Sequence, residues 1–98
     1  MIRVTLPAHL QTLAGTHEEV LVDAGERPTI ASLLAALETA YPVLQGTIRD
    51  HGTCKRRDFV RFFACAEDVS LEPSETALPD AVVAGREPFM IIGAIAGG

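Results

Sequence analysis

One segment constrains the whole chain. Ile30, Leu33, Leu34, Leu37 and Tyr41 follow the i, i+3, i+4, i+7 spacing of a helix face. Thr29 stands where an N-cap hydroxyl can accept from a free amide of the first turn. Pro42 stops the helix, since it lacks a donor and disfavours helical geometry just before it. The pattern predicts one main helix of about twelve residues. No other segment is read as a full helix.

The strands are read as follows. Ile2, Val4 and Leu6 alternate with Arg3 and Thr5, which predicts a half-buried strand ended by Pro7. Residues 8–17 read as a connection with Gly15 as its turn signal. Val20-Leu21-Val22 reads as a second strand, closed by Asp23-Ala24-Gly25. Residues 44–58 read as a loop with a short helical turn near Leu44. Phe59 to Cys65 is aromatic and apolar on both faces, as an interior strand would be, and only Arg61 interrupts it. Ala81-Val82-Val83 reads as a short strand or a turn, after an acidic stretch broken by Pro73 and Pro79. A last strand starts at Phe89 and runs through Gly93 toward Ile95. This order predicts an α+β domain, a mixed sheet of four to five strands with one main helix packed on one face. The arrangement that fits is the β-grasp, in which the final strand lies in mid-sheet, parallel to the first.

A chain of 98 residues supports a single domain. We assign residues 1–95 to it and residues 96–98 to a flexible tail. A formal net charge of −5 argues against nucleic acid and anionic membrane as partners. The first residues do not form a signal peptide, and no apolar run approaches membrane-spanning length. Cys54 and Cys65 match neither a CxxC pair nor a secreted disulfide framework. Together these features predict a cytoplasmic protein. Cys65 is expected in the core and Cys54 at the surface. His9, His17 and His51 lack metal-ligand spacing, so no metal is expected. Lys55-Arg56-Arg57 reads as a solvated loop that offsets nearby acids. Phe62 and Phe63 point to opposite faces of their strand. One packs on the helix, and the other is available to a partner together with residues of the last strand such as Ile92.

Gly97-Gly98 points to chemistry. Two glycines after a small alanine are expensive to order, so the fold is not expected to hold them. Without side chains they can enter a channel only a backbone wide. Nothing crowds the carboxylate of Gly98. Once activated as an acyl-adenylate it can accept sulfur, and the tether then holds that sulfur at high effective concentration in an acceptor's active site.

The helix TIASLLAALETAYP, the strand FVRFFACAEDV and the ending PFMIIGAIAGG together resemble the ubiquitin-like sulfur carriers. These include the small subunit of molybdopterin synthase and the carrier of the thiamine pathway. The resemblance covers nearly the whole chain and implies a β-grasp fold. It implies that the chain is a carrier and not an enzyme, and that it binds no cofactor. A ubiquitin-activating-type adenylyltransferase would use ATP to adenylate Gly98, and a thiocarboxylate would follow. A sulfur-accepting enzyme would then consume the sulfur. Gly97 would complete the tail motif, while Ile95 and Ala96 would sit at the channel mouth. From the strand reading rather than the resemblance, Phe62 and Ile92 are the residues expected to contact the partner. The chain departs from many members in lacking proline across Ile92-Gly93-Ala94-Ile95. Its loop from Arg49 to Asp58 is long and leans toward carriers that feed cysteine synthesis. Two other readings compete: an interaction module with an inert glycine end, and a ubiquitin-like protein conjugated to lysines.

Overall fold

A computed structural model describes residues 1–93, and the tail expected at 96–98 lies outside the described residues. The strands are β1 (Ile2–Thr5), β2 (Glu19–Val22), β3 (Val60–Ala64), β4 (Glu67–Asp68) and β5 (Phe89–Gly93). The helices are α1 (Ala8–Ala14), α2 (Ile30–Ala40) and α3 (Asp80–Val83), with a 3-10 turn at Pro42–Leu44. The sheet order is β2-β1-β5-β3-β4. β5 runs parallel to β1, with Val4 opposite Phe89, and antiparallel to β3, with Val60 opposite Gly93. This is the expected mixed β-grasp sheet with its last strand in the middle.

The main helix forms for the predicted reason. The Ser32 amide donates to Thr29 Oγ1 at 3.0 Å, and the Thr29 amide donates to Ser32 Oγ at 2.8 Å. This reciprocal capping box satisfies two otherwise orphaned donors, with serine in the place glutamate often takes. Ile30, Leu33, Leu34 and Leu37 are buried in one core with Val4, Phe62, Phe89 and Ile91. The Phe62 and Phe89 rings meet at 5.6 Å with a 42° tilt.

Three sequence expectations are corrected. Residues 8–14 are a helix rather than a plain connection. Leu10 is its one buried residue, and Gly15 at φ 64° ends it in the left-handed conformation. Residues 80–83 form one helical turn after Pro79, with Val82 buried, so the valines there do not make a strand. Cys65 is exposed rather than in the core. It occupies a two-residue hairpin turn with Ala66, at φ 52° and 66°, between the paired residues Ala64 and Glu67. A tight hairpin needs positive φ at both positions, which Asn-Gly adopts readily and Cys-Ala does not. Replacing Cys65-Ala66 with Asn-Gly should therefore stabilise the fold by about 1 kcal/mol. A higher denaturant midpoint with an unchanged slope would show it, and an unchanged midpoint would refute the strain.

The long loop is more ordered than its composition suggests. Leu44 and Ile48 are fully buried. Arg49 donates twice to Glu38, at 2.9 Å from both Nε and Nη2, and so ties the loop to α2. Arg56 donates to the carbonyls of Ser70 at 3.1 Å and Val60 at 2.7 Å. The basic triplet is therefore not uniformly solvated, because its middle residue clips the loop to β3. Among the described residues no helix is long and apolar enough to cross a membrane.

Candidate functional site

The site is built on β5. Its alternation is strict: Phe89 and Ile91 point into the core, while Met90 and Ile92 face the open side of the sheet. Met90 lies between Thr5 of β1 and Phe63 of β3, and Ile92 lies opposite Arg61. Phe59, in the turn before β3, is 68% exposed. Phe63, Met90 and Ile92 form an apolar stripe on this face, beside Arg61. Arg61 Nε approaches Asp68 Oδ2 at 3.8 Å on the far side.

Of the two residues expected to contact a partner within the described chain, Ile92 is on this face. Phe62 is not: it is 3% exposed and packs under the sheet against Phe89. Phe63 takes the open side instead. The deciding signal was Arg61. A charged residue on a one-sided strand points to solvent, so its i+2 neighbour Phe63 shares that face and Phe62 opposes it. Ile95, Ala96, Gly97 and Gly98 lie outside the described residues.

Charge around the open face is locally paired. Hydrogen bonding from Ser70, through its side chain and then its amide, holds the Asp68 carboxyl below the usual carboxylate range. Glu19 is lowered chiefly by its hydrogen bond to Arg3, at 3.0 Å. Arg3 also donates to the carbonyls of Gly85 at 3.2 Å and Arg86 at 3.3 Å, tying the turn after α3 to β1. Asp50 is lowered by the amides of Thr53 and Gly52, which fix the tip of the long loop. Among the described residues no group of three His, Cys, Asp or Glu side chains is placed to hold a metal ion.

The end of β5 holds two residues whose relation is not legible in the sequence. A Cβ placed on Gly93 would lie 2.7 Å from His9 Cε1 and 3.6 Å from Pro7 Cβ. His9 projects from α1, the helix that sequence reasoning read as a connection. Beside them is a cleft of about 250 Å³ lined by His9, Thr47, Arg57, Phe59, Val60 and Gly93.

Mixed sheet, central parallel last strand and one packed helix define the class, the ubiquitin-like β-grasp. Among solved structures the chain is similar to SAMP1 from Haloferax volcanii, with TM-score 0.76 and 23% identity over 98% of this chain and 97% of that one. It is similar to a chain of the Amycolatopsis orientalis BexX/CysO complex, with TM-score 0.75 and 21% identity over 100% of both chains. It is also similar to the small archaeal modifier protein 1 of Methanosarcina acetivorans, with TM-score 0.71 and 26% identity over 98% and 94%. The resemblance drawn from the sequence is thus met at the level of fold. No protein-family model and no curated protein matches the chain.

Proposed function

We propose that the chain is a sulfur carrier. In this reading a partner adenylyltransferase uses ATP to adenylate the Gly98 carboxylate, releasing pyrophosphate. A sulfur donor then displaces AMP and leaves a thiocarboxylate, which an acceptor enzyme consumes. The chain carries the group and performs no catalytic step. The observation that supports this most is the position of β5. It is the central strand, held by β1 and β3, and its last described residue is five residues from Gly98. Five extended residues reach roughly 16 Å, enough to enter a partner's active site while the domain stays outside. The likeness in fold to these neighbours supports the same reading. The leaning toward cysteine synthesis rests on the long loop and is supported by the likeness to the BexX/CysO complex.

The test is intact mass measurement of protein from its native cell. A fraction should carry one sulfur in place of one oxygen, on the C-terminal peptide. No such species, even with adenylyltransferase, ATP and a sulfur donor supplied, would sink the proposal. The modifier named among the neighbours favours one second reading, transfer of the activated carboxylate to amines. That outcome would appear in the same experiment as an amide-linked ladder.

The open sheet face is the proposed docking surface. Ile92→Glu places a charge in the apolar stripe without touching the core, since Ile92 is 38% exposed. It should weaken binding to the adenylyltransferase at least about tenfold by leaving a desolvated charge in the contact. Titration calorimetry would measure this, and unchanged binding would exclude the face.

A further inference from the structure

Glycine at position 93 calls for a physical reason. A strand interior loses backbone entropy and packing at glycine, and such a residue often marks a close approach. Gly93 is not among the residues with positive φ, so its conformation does not demand glycine. The His9 ring occupies the volume a side chain would need, so any larger residue here must displace that ring. His9 is carried there by a short but anchored helix. Leu10 is buried, Gln11 Nε2 donates to the Leu6 carbonyl at 2.8 Å, and Gly15 closes the C-terminus in the left-handed region. Thr47, Arg57 and Phe59 complete the cleft around this contact.

We propose that His9 is a positioning residue, whose ring seats on the Gly93 backbone and fixes the base from which the reactive end is presented to the activating enzyme. This rests on the sulfur-carrier reading. The physical argument is one of alignment. A reactive group on a tether is productive only in the fraction of time it is correctly placed, and a fixed base raises that fraction. A second observation agrees: the contact and its cleft lie where β5 ends, next to the proposed docking stripe, rather than elsewhere along the strand.

The test uses the full-length protein, ATP and a ubiquitin-activating-type adenylyltransferase from the same cell, with the carrier as the varied substrate. Because the nearest atom to the new Cβ is the free end of a rotatable ring, Gly93→Ala should displace His9 and leave the sheet intact. His9→Ala removes the ring outright. Each change should raise KM for the carrier roughly tenfold with kcat unchanged, as expected when the docking-competent arrangement of the end is less populated before binding. The double variant should be no worse than either single one, since both remove the same contact. In nitrogen-proton spectra, His9→Ala should shift the amides of Ala94 and Ile95 and leave those of β2 in place. A wild-type KM in His9→Ala, or losses that add in the double variant, would overturn the proposal. If the wild-type protein is not activated at all, the carrier reading falls and the spectra decide the role of His9. Unmoved Ala94 and Ile95 amides would then exclude it.

Discussion

On the sulfur-carrier reading, deleting Gly98 should abolish activation by the adenylyltransferase and leave thermal unfolding unchanged. The chemistry moves even though the new terminal residue, Gly97, is also a glycine. The carboxylate retreats by one residue, about 3.3 Å. A misplacement of about 1 Å can cost roughly a hundredfold in a positioned reaction, so a threefold larger one leaves no measurable rate. The fold does not move because every residue of the described core lies between Ile2 and Ile91. ATP–pyrophosphate exchange and a calorimetric melt on the same sample check both halves. Retained exchange would separate the reaction from Gly98. A clearly lowered Tm would show that the end is part of the fold.

The second large effect falls on Phe62. Phe62→Ala should destabilise the domain by about 3–5 kcal/mol, the cost of deleting a buried ring and leaving a cavity. That is a large share of the ~5–15 kcal/mol a small domain possesses. The loss is specific to this strand position, because the ring is buried in the core in a tilted contact with Phe89. Phe63→Ala, on the open face, should cost far less in denaturant unfolding and act on partner binding instead. Equal destabilisation by the two would mean the strand is buried on both sides, as its composition first suggests.

The elements legible in the sequence are those whose period was long enough to see. α2 presents four buried residues on one face and carries its own cap and stop in Thr29 and Pro42. β1 alternates cleanly, and its pairing with β5 follows from the order of elements. α1 hid because a seven-residue helix with one buried residue has no periodicity to show. Pro7 and Gly15 were its true boundaries, although they read as loop punctuation. Val82 and Val83 are β-branched and suggest extension, and a single helical turn after Pro79 overrode that preference. Cys65 reads as a core residue from its chemistry, but a two-residue turn exposes it whatever its hydrophobicity. For the candidate site, the open face was within reach through Arg61. The meeting of His9 and Gly93 was not, since it depends on a tertiary crossing between residues 84 positions apart in sequence.

The central place of β5 also governs when the molecule can exist. Neither β1 nor β3 has its inner neighbour until Phe89–Gly93 has been made, so the sheet closes on the last strand through contacts that span almost the whole chain. Such long-range closure is slow and leaves bare strand edges until it is complete. A chain cut before Phe89 therefore presents two unpaired edges and an uncovered helix face to the cell, the features that mark a polypeptide for chaperones and proteases. Folding in this architecture therefore waits on Phe89–Gly93, which alone among the described strands pairs with both β1 and β3.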